Sequence, residues 1–164
     1  MRIFLYLILV AALAACNSKN KSNGTSSNTN ENGVLDGVNY VVASFDKPVA
    51  FGQFPVYKIT LYSNNTAQLH AIQNLKLDNG NYKAAVDQKT IDAFLKKATS
   101  MDFFSLNEKY DGNATDLPLR SVTIADTKTG KTKTVQFSQN FPSGLKDIEN
   151  MFDNLIEELN WEKI

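Results

Sequence analysis

Apolar and polar positions alternate most clearly across residues 55–73. Tyr57, Ile59 and Leu61 fall on one side of this run and Lys58, Thr60 and Tyr62 on the other; further on, Leu69 and Ala71 oppose Gln68 and His70. A period of two is the pleat of a strand, so the stretch predicts a β-hairpin. Asn64-Asn65 supplies the turn, because Asn tolerates positive φ better than most residues. A two-residue loop there would set Leu61 against Gln68 and Ile59 against His70, polar on apolar. A one-residue slip flips every side chain, so the apolar pattern selects a three-residue loop with Asn65 left-handed. The pairs expected are Leu61 with Leu69 and Ile59 with Ala71, leaving His70 on the outer face beside Thr60.

The same reading extends along the chain. Residues 38–45 are rich in β-branched side chains and predict a first strand, closed by Asp46-Lys47-Pro48. Leu75 to Leu77 and Tyr82 to Val86, around Asp78-Asn79-Gly80, predict a short second hairpin. Residues 119–126 and 131–137 predict a third, whose loop at Thr129-Gly130 sets Ile124 against Val135 and Val122 against Phe137. The period then changes. Asp87 is the expected N-cap of a helix with Ile91, Phe94, Leu95, Ala98 and Met101 as its apolar stripe. Phe103-Phe104 follows as a core anchor. A second helix follows Phe141-Pro142-Ser143, with Leu145, Ile148, Met151, Phe152, Leu155, Ile156 and Leu159 as its stripe and Asp147, Glu149, Asp153 and Glu157 mainly outside it. Trp161 closes the sheet or the helix end. Hairpins plus one-faced helices predict an α+β fold: an antiparallel sheet of about five to seven strands with two helices packed on one face. The other face, with Lys58, Thr60, Gln68, His70, Ser121, Thr123, Thr134 and Gln136, would meet water.

The segment before this domain has a different character. Arg2 precedes an apolar run from Ile3 to Ala12, and Leu13-Ala14-Ala15-Cys16 reads as a lipobox. The run is too short for a permanent membrane span, so residues 1–15 are expected to be a lipoprotein signal peptide and Cys16 the lipidated residue. Several acyl chains on one cysteine hold a protein firmly, at about 0.8 kcal/mol per buried methylene. Residues 16–33 carry no large apolar residue after Cys16 and predict a flexible tether; residues 34–164 form a single domain. Asn17 after the cysteine, and a tether with Lys19 and Lys21 against Glu31, favour the outer membrane facing the periplasm.

Seventeen basic and seventeen acidic residues balance without a basic stripe, which excludes an extended nucleic-acid surface. One histidine and one cysteine cannot make structural zinc or a disulfide, and no cofactor motif is present. His70 lacks a visible acid and nucleophile, so no catalytic residue is assigned. The loop Asp111, Asn113, Thr115, Asp116 begins like a calcium loop. It then fails, because Asp116 stands where glycine is needed and Val122 where a bidentate Glu belongs. An ordered polar turn is the simpler reading. Phe51, Phe54 and Tyr57 are the candidate interaction residues, either packing a strand entry or forming an exposed aromatic patch.

The run Phe51-Gly52-Gln53-Phe54-Pro55-Val56-Tyr57, with Phe103-Phe104, Tyr110 and Thr115-Asp116-Leu117-Pro118, resembles a family of small lipoproteins of Bacteroidota-type envelopes known only as a domain of unknown function. Its opening motif is Cys-Phe-Gly-x-Cys-Pro-x-Tyr; Ala50 and Phe54 stand at the two cysteine positions here, so no thiol role carries over. The resemblance runs from about Asp46 onward and implies no activity. Three functions follow as expectations. The first is a non-catalytic, membrane-anchored envelope module that binds a protein or peptide partner on its sheet or at the edge from Phe51 to Tyr57. The second is an envelope enzyme using carboxylates near Asp111 and Asp116. The third is a small-ligand carrier with a pocket between helices and sheet.

Overall fold

The computed structural model describes residues 39–49, 52–112 and 117–164. The expected signal peptide, Cys16 and the expected tether lie outside these residues, as do Phe51, Asn113, Thr115 and Asp116. In chain order the elements are β1 (Val41–Lys47), β2 (Val56–Tyr62), β3 (Thr66–Gln73), β4 (Gly80–Ala85), α1 (Gln88–Ser100), β5 (Lys109–Tyr110), β6 (Arg120–Ala125), β7 (Thr132–Phe137), α2 (Ser143–Glu158) and β8 (Glu162–Lys163). A 3₁₀ turn at Phe103–Ser105 follows α1. The strands form one open sheet in the order β5-β7-β6-β1-β2-β3-β4-β8.

This is an α+β fold, with eight strands where five to seven were expected. The additions are the two-residue strands β5 and β8 at the ends of the sheet, too short for alternation to announce them. β5 runs parallel to β7, so the sheet is mixed rather than wholly antiparallel. The expected pairing of Leu75–Leu77 with residues 82–86 does not form. Asn74 takes φ 56° and turns the chain out of β3, and β4 pairs back onto β3 itself, Leu69 opposite Tyr82.

Two registers differ from expectation by two residues, which preserves every face. The β2–β3 loop does have three residues, Ser63 to Asn65, with Asn65 at φ 62°. Its pairs are Leu61 with Ala67 and Ile59 with Leu69, so His70 lies beside Lys58 rather than Thr60. At β6–β7, Val122 pairs Val135 and Ile124 pairs Lys133. Asp126 lengthens that turn: its carboxylate accepts from the Lys128 amide at 2.9 Å and the Thr129 hydroxyl at 2.6 Å. Gly130 then closes the loop at φ 69°, a conformation that suits glycine.

The helix stripes meet the inner face of the sheet through aromatic rings. Phe152 of α2 stacks on Phe45 of β1 with centroids 5.6 Å apart, and Phe94 of α1 packs on Phe152 at 4.5 Å. Phe45 also stacks on Phe137 of β7. Asp87 caps α1 as expected, accepting from the Thr90 amide at 2.7 Å. At the other end of α1, Asp102 takes φ 49° and turns Phe103 into the core, while Phe104 stays partly in water. Trp161 closes α2, its indole donating to the Ile156 carbonyl. No helix among the described residues is long and apolar enough to cross a membrane. Because Phe152 joins both helices to the sheet, Phe152→Ala is expected to destabilise the domain by about 3–5 kcal/mol, read as a lower urea midpoint at unchanged slope.

Candidate functional site

The inner rows of three strands run out of apolar residues at the same end of the sheet. On β1 the sequence is Ala43, Phe45, Lys47; on β6 it is Ile124, Val122, Arg120; on β2, Tyr57 pairs with Lys47. These three polar ends meet α2 at Glu149 and Asp153. Glu149 is 1% exposed, the sole buried charged residue among those described.

Water has been removed from this carboxylate, so its charge must be met by protein. Arg120 Nη1 donates to Glu149 Oε2 at 2.7 Å, Lys47 Nζ lies 3.1 Å from Oε1, and Lys146 Nζ lies 3.1 Å from Oε2. Lys47 also donates to both oxygens of Asp153 at 3.2 Å, and the Tyr57 hydroxyl donates to Asp153 Oδ1 at 2.5 Å. Arg120 is held from two further sides. Its Nη2 donates to the Ser138 carbonyl at 3.1 Å, and its guanidinium sits over the rings of Phe137 and Phe141 at 4.6 and 5.1 Å. Two β-strands and a helix are thereby pinned together by charge.

Burial alone would push the Glu149 carboxyl up. The Arg120 charge and the bonds and charge of Lys47, with a bond from Lys146, outweigh it and hold the group below the usual carboxylate range. Burial first, then the charge and hydrogen bond of Asp153, push the Tyr57 hydroxyl far up, so it remains a protonated donor. At neutral pH the cluster therefore holds a fixed carboxylate and a fixed phenol; neither is poised to exchange a proton.

Beside the cluster opens a pocket of about 290 Å³. Lys47, Arg120, Lys146 and Glu149 form its charged part, and Phe54, Leu117, Pro48, Pro55 and Pro118 its apolar part. Phe54 is 59% exposed and Leu117 45%. A second, larger concavity of about 620 Å³ lies on the outer sheet face over β2, β3 and β4, lined in part by Lys58, Thr60, Tyr62, Gln68, His70 and Asn81. His70 Nδ1 lies 2.7 Å from the Asn81 side-chain oxygen there. The polar outer face is thus grooved rather than flat.

The structure separates the sequence candidates. Phe54 is on the surface, but Tyr57 is fully buried with its hydroxyl on Asp153, so the two do not form one aromatic patch. Its strand position explains this: Tyr57 shares the inner face with Ile59 and Leu61. Asp111 is an exposed loop residue paired with Lys109 at 2.6 Å, and that hydrogen bond and charge hold its carboxyl low. Between the layers, where a carrier pocket is expected, Phe45, Phe94 and Phe152 fill the centre, and a pocket of about 270 Å³ lies at the margin between α1, Phe103-Phe104 and β6. The two ends of the sheet are two-residue strands, β5 and β8, which blunt its edges against an added strand.

The sequence pattern sets Glu149 mainly outside the α2 stripe, whereas in the structure it lies inside. The signal was present: Leu145, Glu149, Phe152 and Ile156 step by four, three and four. Extending the inner parity of β1 and β6 by one more position likewise reaches Lys47 and Arg120.

Fold and site define the class first: an open mixed sheet backed by two helices, with a buried carboxylate clasped by cations beside an apolar pocket. Within that class, the family model for a domain of unknown function, DUF6438, matches residues 42–156, and the chain belongs to this family. The matched span runs from β1 into α2 and includes the whole cluster. No curated protein and no solved structure matches the chain.

The lowered Glu149 pKa fixes the sign of a pH effect. The ionised group contributes stability fully above about pH 4.5, its ordinary value, and that contribution is lost as pH falls through the lower folded value. Glu149→Gln is therefore expected to lose about 3 kcal/mol at pH 7, the low end for a broken buried pair because the cations keep some water. The gap to wild type should narrow in urea titrations taken from pH 5 down to pH 3.

Proposed function

We propose that the chain is a non-catalytic lipoprotein, anchored through Cys16 in the outer membrane and facing the periplasm, whose domain binds an envelope protein or peptide. The observation that carries the binding half is the pocket at Phe54 and Leu117. Two large apolar side chains stand in water at the mouth of a pocket whose charges are already fixed. Apolar groups held exposed beside ordered cations cost stability in a lone domain and contribute once a partner covers them. Glu149 held ionised and Tyr57 held protonated favour this reading over proton-transfer chemistry. The anchoring half rests on Leu13-Ala14-Ala15-Cys16 and on the polar composition of the segment that follows.

Both halves are open to measurement in cells. Cys16→Ser is expected to move the protein from the detergent phase to the aqueous phase on detergent partitioning; retention in the detergent phase would remove the lipid anchor. A photo-crosslinking amino acid placed at position 54 is expected to give one reproducible heavier adduct in intact cells. The same probe at exposed Lys128, on the remote β6–β7 turn, should give none. Equal adducts from both positions, or none from either, would remove the binding site at Phe54.

A further inference from the structure

The pocket beside Glu149 has a chemistry more specific than an apolar patch. Among the described residues lining it, three cations stand against one carboxylate, so its charged part carries net positive charge beneath an apolar rim. Glu149 uses one donor of Arg120 and a second goes to Ser138, out of the five a guanidinium offers. Lys146 has half of its side chain in water and three donors, with Glu149 as its ion-pair partner among the described residues. The buried carboxylate thus aims cations at the pocket without cancelling them.

Size and shape narrow the occupant. A volume of about 290 Å³ lies at the lower limit of sites that enclose a whole small molecule, roughly 300–1,000 Å³. It suits one side chain and one charged group at the tip of something larger. Prolines at three rim positions, Pro48, Pro55 and Pro118, have no amide hydrogen. That rim is a poor partner for a peptide laid along it as an added strand, and leaves entry end-on. An apolar side chain and a carboxylate on the same residue is the chemistry of a chain terminus.

We infer that this pocket receives the C-terminal residue of a partner polypeptide, its apolar side chain against Phe54 and Leu117 and its terminal carboxylate on Lys146 and Arg120. Recognition of a terminal carboxylate by fixed donors is a known way for a domain to read a peptide end, and charge-assisted bonds to guanidinium and ammonium are among the stronger polar contacts. The inference rests on the partner-binding reading above and specifies what part of the partner is read.

The test uses the full chain in detergent micelles and fluorescence anisotropy. The probe is a short labelled Gly-Ser peptide ending in leucine, made with a free carboxylate and again as the amide. The free acid is expected to bind about tenfold more tightly than the amide, the equivalent of roughly 1.4 kcal/mol. Lys146→Gln should bring that ratio close to one, whereas Phe54→Ser should weaken both peptides alike. Lys146 is half-exposed and Lys47 and Arg120 remain on Glu149, so its variant is expected to stay folded with a somewhat lowered melting curve, and binding is compared well below that transition. Equal binding of acid and amide, binding of neither, or an acid preference that survives Lys146→Gln would overturn the inference. So would octanoate displacing the peptide as well as unlabelled peptide does, since the pocket would then take a fatty acid. Crosslinks at position 54 with equal acid and amide binding would keep the interaction module and remove terminus recognition. Acid-selective binding without crosslinks in cells would keep the pocket chemistry and remove the cellular partner reading.

Discussion

A carboxylate without water is the constraint around which this domain is arranged. Isolated, buried Glu149 would cost several kcal/mol or take up a proton. It stays charged because β1 delivers Lys47, β6 delivers Arg120 and α2 itself adds Lys146 one turn earlier. No single element could do this. The cluster forms only when α2 crosses the sheet at one depth and one rotation, which the Phe45–Phe152 stack sets. Packing places the helix; charge then penalises any other placement.

The consequence for function is geometric. Cations tied to a buried anion lose side-chain freedom before any ligand arrives, so less ordering remains to oppose binding. The apolar rim at Phe54 and Leu117 adds area that water leaves when covered. Tyr57 and Asp153 brace Lys47 from the far side, which makes Tyr57 a positioning group and not a contact surface. The groove over β2 to β4 has a different character, lined by Lys58, His70 and neutral polar groups with no buried carboxylate among its described residues. Its curvature follows from the twist that every such sheet carries.

Strand and helix identities were legible because burial on one face writes its period into the sequence. The two inner-face hairpin registers illustrate the limit. Apolar pattern distinguishes odd from even slips, since odd slips expose the core, but it hardly distinguishes a register from one shifted by two. Turn chemistry broke that tie: Asp126 capped a longer loop through Lys128 and Thr129, and left-handed Asn65 took the last rather than the middle position of the three-residue loop. The hairpin expected at Leu75, which does not form, has a similar origin. Those leucines are partly buried against the core without being strand, and apolar alternation cannot separate the two situations.

Local order and the character of each face were therefore written in the chain itself: hairpins, two one-sided helices, the N-cap at Asp87, and a polar outer surface. The site was not. Lys47, Arg120 and Glu149 lie far apart in sequence, and each alone reads as an ordinary surface charge. Only the tertiary structure decided that three strands end their inner rows at one corner and that α2 lays a carboxylate across them. The reason is physical. Periodicity encodes which way a side chain points relative to its neighbours along one element, whereas the meeting of charges from separate elements depends on how those elements are stacked and turned against each other, a quantity that no single stretch contains.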